Sequence, residues 1–588
     1  MMRLTDEQRA VATHAPGAFV EACPGAGKTR AIVARIARIA PNLPARRGLA
    51  VLSFTNSAIE EFITRCHAIG LEGALLHPGF VGTFDAFLRQ FFFAPSGIDG
   101  VPLRPTVVDS WETLSVDVRL RGANGFRGDG VCLDLFDAEN DHIDPSSIGH
   151  TALRAHVQAN QMAYQQAAAQ RRRTLRRKGY LSAADVRVDV VRLFRRADAS
   201  TALGRALAAR FQEVIVDEAH DCNPLDFQII RWLRDKGIVV TVVADPDQAI
   251  YGFRHGSPTD LRAIANTYDA QDRLTLTGNF RSSPSICGVA ATLRTRSIPD
   301  RSLGETAVIT EPVHVLTYPG ASVPSGIGRR FCELMHASGI PNKDGIVLAH
   351  ARRNALRACG FGCEEDAGNS NAAWVARAVG TFWSASLSNR VRESALRSIE
   401  RVILDLMGQI DEGEVPQRAA ERRGIDPRWL RRSALELISR VPRNCFDSDE
   451  ARTAWISALR REVLRLELAY RPGTSERQYF PDRAGAEWQE LLVTGDGPEI
   501  RTATIHEAKG KEYEAVCIVI PPDVREPHRT EQLLTNWQSR TDDEPKRVIY
   551  VGITRAQKLA VIAIPATFGD RLTNILEVAQ ATFRVHEL

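Results

Sequence analysis

The chain has 588 residues, 44% of them hydrophobic and 25% charged, with ten cysteines and 75 Lys+Arg against 71 Asp+Glu for a formal charge of +4. At about 150 residues per domain this length implies about four lobes, and the composition excludes a disordered, collagenous or coiled-coil chain. The scattered cysteines argue against a disulfide scaffold. No apolar run approaches the roughly 18 residues of a membrane span, and the start MMRLTDEQRA lacks the apolar core of a signal peptide, so a cytoplasmic protein with reduced thiols and no membrane contact is expected.

In chain order, Ala18–Ala22 reads as a short buried strand broken by Cys23-Pro24-Gly25-Ala26-Gly27, after which Lys28-Thr29 open a helix with Ile and Val at spacings of three and four. A second strand at Leu49–Phe54 precedes a helix rich in Ala, Ile and Glu. From about Phe91 to Gly204 the pattern is mainly helical, with the basic run Arg171–Lys178 reading as either a solvated helix face or a local binding patch. Apolar strands return at Glu213–Val216 and Ile238–Ala244. The second half repeats the design: strands at Val313–Leu316 and Gly345–Leu348 around a helix Ile327–Ser338, a long helical stretch from Asn354 to Glu490, then strands at Ile500–Ile505, Ala515–Ile520 and Leu559–Ile564. Strand–loop–helix alternation signals parallel α/β sheets. The expected fold is α/β: two parallel-sheet cores, each carrying a mostly helical insertion. The boundaries are 1–90 with 205–282 for the first core, 91–204 for its insertion, 283–353 with 491–588 for the second core, and 354–490 for its insertion.

The chemistry is concentrated in two segments. Ala22-Cys23-Pro24-Gly25-Ala26-Gly27-Lys28-Thr29 fits a phosphate-binding loop except at its first position, where Ala22 stands in place of Gly. Small residues let backbone N–H groups turn onto phosphates at a helix N-terminus; Lys28 supplies a point charge for the β- and γ-phosphates of ATP, and the Thr29 hydroxyl a Mg²⁺ ligand. Asp217-Glu218 closes the strand EVIVDEAHD. A carboxylate there can hold Mg²⁺ while its neighbour activates the attacking water.

The order of the remaining motifs resembles the superfamily 1 helicases of the UvrD/Rep/PcrA type, from Gln8 to Ala556. LTDEQRAV carries Gln8; Ser53-Phe54-Thr55-Asn56 is similar to the family's TFTN and Gly82-Thr83-Phe84-Asp85 to its GTFHS; Asp245–Arg254 (DPDQAIYGFR), Gly278–Ser282 (GNFRS), Thr504–Tyr513 (TIHEAKGKEY) and Arg547–Ala556 (RVIYVGITRA) match later motifs. The resemblance implies two RecA-like cores. It implies that Gln8 reads the adenine edge, Phe280 stacks on the ring, Glu512 bonds the ribose and Gln248 senses the γ-phosphate, with Arg281 and Arg555 as arginine fingers that arrive when the cores close. It assigns Phe54, Tyr251 and Phe253 to stacking on single-stranded DNA, and Thr55, Asn56, Thr83 and His506 to its backbone. The implied activity is ATP-dependent 3′-to-5′ translocation on single-stranded DNA and at single-strand/duplex junctions. The alternative is a DNA-sensing ATPase that controls a partner nuclease, as in anti-phage pairs of the Gabija type.

This sequence departs from the family at four places. His220 stands where DExQD has Gln, Asp85 where a His commonly meets DNA phosphate, Lys511 at an apolar position, and Pro545 displaces an acid before the last motif. The spelling DEAH also occurs in superfamily 2, but VGITRA is a superfamily 1 ending. Cys359 and Cys363 read as ordinary cysteines rather than metal ligands, and Trp429 and Trp455 as core anchors of the second insertion.

Overall fold

The computed structural model describes residues 4–14, 17–96, 101–102, 105–111, 119–120, 130–148, 151–250, 258–295, 300–361, 371–383, 389–410, 415–443, 449–482, 500–522 and 529–588. It divides into two compact units, Met1–Phe280 and Arg281–Leu588.

Unit 1 is built on a six-stranded sheet of β1 (Phe19–Ala22), β2 (Gly48–Ser53), β3 (Phe80–Thr83), β4 (Phe211–Val216), β5 (Val239–Ala244) and β6 (Arg273–Leu276), in the spatial order β6-β1-β5-β4-β2-β3. Every pairing is parallel, with Val20 opposite both Leu274 and Val243, and Val214 opposite Val240. A parallel sheet is covered on both faces, which is why β2 reads GLAVLS and is buried at every position. One face packs on α2 (Lys28–Ile39) through Ile32, Val33 and Ile36; the other packs on a phenylalanine-rich cluster of Phe84, Phe87, Phe91 and Phe92 with Phe211. Because the strands run the same way, the loops after β1, β2, β3, β4 and β5 all leave from one edge, where open α/β sheets bind ligands.

Between β3 and β4 the chain is less purely helical than its composition suggests. Helices α5 (Gln161–Arg177) and α6 (Ala183–Phe194) are joined by Tyr180–Ser182, which pairs in parallel with Thr106–Val108, and Arg119–Leu120 pairs antiparallel with Val131–Cys132. The basic run on α5 is not one solvated face. Arg172 is buried against Asp141 and Asp185, and Arg176 pairs with Asp189 at 2.7 Å. Residues four apart share a helix face, so these two point inward and leave Arg173, Arg177 and Lys178 exposed.

Unit 2 holds a second six-stranded parallel sheet: β7 (Val313–Tyr318), β8 (Gly345–Ala349), β9 (Arg501–Thr504), β10 (Tyr513–Val519), β11 (Ala556–Pro565) and β12 (Phe583–Glu587), in the order β9-β8-β10-β11-β7-β12. Residues 371–479 include a helical body with its own core, in which Leu396, Ile399, Ile403, Leu437, Ile438 and Leu459 meet. Trp455 anchors this core, its indole N–H donating to Pro442 O at 2.9 Å. Trp429 does not: on the exposed side of Pro427–Arg440 it is 36% accessible, because the apolar positions Leu430, Ala434 and Leu437 turn the opposite way. The eight described cysteines are all buried free thiols, Cys359 among them, and Cys363 lies outside the described residues. Among the described residues no helix is long and apolar enough to cross a membrane.

Candidate nucleotide and nucleic-acid site

The loop after β1 is shaped by its glycines and tied down by backbone. Gly25 and Gly27 both sit at φ 71°, the left-handed region that a side chain resists. Cys23 N–H donates to Leu276 O at 3.0 Å, and Phe280 N–H to Gly25 O at 2.9 Å, so the segment after β6 braces the loop. Ala22 is tolerated at the first loop position because it is still strand, level with Leu276 in the ladder and without positive φ. Gly27 is the N-cap of α2 and offers no side chain to its first turn, which carries no acid either. The amide donors and the positive end of the helix dipole therefore face the loop, the arrangement that binds phosphate.

Helix α1 (Asp6–Thr13) presses Gln8 against this loop. Gln8 and Thr5 form a capping box, and the Gln8 Nε2 donates to Ala26 O at 2.9 Å. The residue is 1% exposed. A Cβ on Gly27 would lie 2.7 Å from that same Nε2, so loop and glutamine are fitted to each other. Glu7, which the sequence reading passed over, accepts from Thr277 N–H at 2.7 Å and fastens α1 to the end of β6; an acid in a helix's first turn is too common to have singled it out.

The acidic pair follows β4. Asp217 N–H donates to Leu52 O at 2.8 Å, and the Asp217 Oδ1 accepts from Glu218 N–H at 2.8 Å. Glu218 is held at φ 53°, ψ 37°, a backbone region costly for a residue with a side chain, of the kind that collects at functional sites. Its Oε2 lies 2.8 Å from the Lys28 ammonium and 3.3 Å from His220 Nε2. Burial works against the Lys28 charge, but Glu218, Asp217 and Asp245 hold its pKa above the usual lysine value. Burial and the neighbouring Glu218 push Asp217 up to about 7, with Lys28 opposing. After β5, the strand lying between β1 and β4, buried Asp245 accepts from Gln248 Nε2 at 2.9 Å and donates its own N–H to His220 Nδ1 at 3.2 Å. Lys28, Asp217, Glu218 and Gln248 thus come together at one sheet edge, with Thr29 on the first turn of α2. Phe280 is 37% exposed beside the loop it braces.

At the same edge, the Phe54 ring stacks on Phe84 at 5.5 Å and 12°, and is only partly covered. The hydroxyls of Thr55 and Thr83 accept from Ala58 N–H and Ala86 N–H, capping α3 (Asn56–His67) and α4 (Phe84–Leu88). Thr55 and Asn56 are exposed. Tyr251 and Phe253 lie outside the described residues. The carboxylate at Asp85 is not bare: Arg187 reaches it at 2.5 Å while also binding Asp226 at 2.7 Å.

In unit 2 the nucleotide candidates gather at the amino edge of the sheet. Arg281 pairs with Glu512 just before β10 and donates to Thr554 O at 3.2 Å; Glu512 also accepts from Gln557 Nε2 at 3.2 Å. Burial raises the Glu512 pKa, but Arg281 and these hydrogen bonds hold it below the usual carboxylate value. Arg555 is buried in the turn entering β11, its Nε donating to Val551 O at 3.0 Å. His506 belongs elsewhere. It follows β9, whose last residue Thr504 is level with Val519, seven residues of strand from Glu512 or on the order of 20 Å. There it packs beside His350, ring centres 5.5 Å apart.

Two family models match the chain. That of the UvrD/REP helicase N-terminal domain matches residues 4–93 and 131–269, and that of the UvrD-like helicase C-terminal domain residues 487–565, together more than half of the chain. DNA helicase II of Haemophilus influenzae is 26% identical over 49% of this chain and 40% of its own length. ATP-dependent DNA helicase UvrD2 of Mycobacterium tuberculosis is 27% identical over 60% and 48%, and UvrD1 of the same organism 24% identical over 97% and 84%. The match thus spans less than half of the first two relatives and most of the third.

Proposed function

The chain belongs to the UvrD/REP helicase family, and from that premise we propose that it is a cytoplasmic ATP-driven motor that moves 3′ to 5′ along single-stranded DNA and works at single-strand/duplex junctions. The observation that carries the reading is the convergence of the phosphate loop, Asp217-Glu218 and the Asp245–Gln248 segment on one edge of a parallel sheet, with Lys28 already in contact with Glu218.

In this reading Gln8 and Phe280 frame the base of ATP, Glu512 bonds its ribose, and the amides of residues 22–29 with Lys28 take the phosphates. A hydroxyl and a carboxylate suit Mg²⁺, which takes few protein oxygens and keeps its remaining places for phosphate and water; Thr29 and Asp217 would hold it. Bound there, the ion neutralises charge on the β- and γ-phosphates. Glu218 accepts the proton of the attacking water, Gln248 contacts the γ-phosphate, and Arg281 and Arg555 stabilise the charge of the transferred phosphoryl. Lys28 must leave Glu218 for the phosphates, which frees the base at the moment substrate arrives. Phe54 with Tyr251 and Phe253 would stack on bases without reading sequence, and Thr55, Asn56, Thr83 and His506 would hold the backbone. The four-part layout, with insertions at 91–204 and 354–490, belongs to the same proposal.

The test is ATP hydrolysis with and without single-stranded DNA, with Lys28→Ala as control, followed by strand separation on a 3′-tailed duplex. Strong stimulation with unwinding is expected. Stimulation without unwinding would point to a translocase that does not separate strands or to the nuclease-regulating alternative. Hydrolysis indifferent to DNA would overturn the motor.

A further inference from the structure

His220 occupies a position no part of the proposed reaction uses, yet it is enclosed at the centre of the acidic site, its side chain wholly buried. Two contacts define what its ring can do. A backbone N–H can only donate, so the Asp245 N–H at 3.2 Å commits the Nδ1 lone pair as acceptor. A ring proton at Nδ1 would set two N–H groups against each other. The neutral ring therefore carries its proton on Nε2, which lies 3.3 Å from Glu218 Oε2, a close contact without hydrogen-bond geometry while Lys28 holds that oxygen, with Asp221 Oδ1 farther off at 3.8 Å. The carboxylate oxygen that Nε2 faces is the same one that Lys28 holds at 2.8 Å.

When Lys28 turns to phosphate, Glu218 loses its nearest positive partner, and the imidazole N–H at 3.3 Å is the donor placed to take up that oxygen. The Glu218 backbone is in the left-handed region, so a neighbouring donor acts on a carboxylate that strained backbone already aims into the site. The same ring is joined through Asp245 to Gln248, so a shift of the Gln248 segment reaches His220 through two hydrogen bonds and Glu218 through one further contact.

We propose that His220 is a positioning residue for Glu218: its Nε2–H orients the carboxylate of the general base after Lys28 departs, and its Nδ1 ties that orientation to the Asp245–Gln248 segment. The inference rests on the ATPase reading above, in which Glu218 is the base.

The test combines spectroscopy and kinetics on the full chain. Ring-nitrogen NMR of the ¹⁵N-histidine-labelled, nucleotide-free protein, with His220→Gln to assign the signal, is expected to show a neutral ring protonated at Nε2. Protonation at Nδ1 would overturn the proposal. In ATP hydrolysis, His220→Ala is expected to lower kcat at least about tenfold, a fraction of the effect of a general base, with KM for ATP changed less than about threefold. A Gln amide nitrogen reaches where Nε2 lies and an Asn amide only where Nδ1 lies, so His220→Gln should recover most of the rate and His220→Asn should not. Equal losses in all three variants, tracking their unfolding temperatures, would reduce His220 to a packing residue, and unchanged rates in all three would remove it from the reaction. A wild-type protein that hydrolyses no ATP would sink the ATPase reading itself, with the tautomer result still standing.

Discussion

Asp217 is pushed to about 7 by burial first and by Glu218 second, and that fixes how it links stability to pH. Its folded value lies above the ordinary 3.8, so the folded protein binds this proton more tightly than the unfolded chain. The contribution is fully present below about 3.8 and is lost as pH rises through about 7. Without nucleotide or divalent ion, the unfolding temperature of Asp217→Asn should therefore exceed that of wild type at pH 8 and converge with it near pH 5. A lower value at pH 8 would show that the Lys28 attraction outweighs burial. Gly27 gives a second prediction. A methyl group there meets a left-handed backbone, worth about 1–2 kcal/mol, and lies 2.7 Å from Gln8 Nε2. Gly27→Ala should weaken binding of a fluorescent ATP analogue and free Gln8, whereas Gly70→Ala, also left-handed but with nothing near its Cβ, should carry the strain alone. At this scale the site was legible wherever chemistry dictates residue type, as in Lys28, Thr29, Asp217 and Glu218. It was not legible where a partner comes from distant sequence, as in Glu7 on Thr277 or Asp245 on His220.

Elements follow the same division. The central strands β1, β2, β4, β5, β7, β8, β10 and β11 are buried on both faces and read as apolar runs in the sequence. Within the two six-stranded sheets, the strands that escaped notice, β3 (FVGT), β6 (RLTL) and β12 (FRVHE), all lie at sheet edges, where half-exposure permits polar residues. Ion pairs between elements are equally silent in sequence. Arg187 on α6 binds Asp226 on α7 (Pro224–Asp235) and Asp85 on α4, and its own side chain is buried. Here the departure at Asp85 has a structural use: it pairs with Arg187 and joins α4 to α6 and, through Asp226, to α7. Removing one member of a buried pair strands the others, at about 3–5 kcal/mol. Arg187→Ala should lower the unfolding temperature clearly, and Asp226→Ala added to it should cost much less than the two single changes summed. Additive losses would mean that the two residues act independently.

On the scale of the whole molecule, the nucleotide candidates fall in both units, the phosphate loop, Asp217, Glu218 and Gln248 in unit 1 and Arg281, Glu512 and Arg555 in unit 2. The surface of the helical body within 371–479 was not readable, because its core follows helical periodicity and no chemistry dictates its outer residues. The two sets of residues should fail in different ways. Loop amides and Lys28 contact phosphate in the ground state, so Lys28→Ala should abolish nucleotide affinity along with hydrolysis. An arginine that meets charge developing in the transition state is worth about 10³–10⁵ in rate and little in binding. Arg281→Ala and Arg555→Ala should therefore each lower kcat by about 10³ or more while leaving the affinity for an ATP analogue within a few-fold. Arg281 is held by Glu512, so Glu512→Gln should weaken ribose binding and loosen Arg281 together, raising KM and lowering kcat in one variant. If Arg281→Ala lost affinity as completely as Lys28→Ala, the arginine would belong to ground-state binding, and Arg555 alone would remain for the transition state.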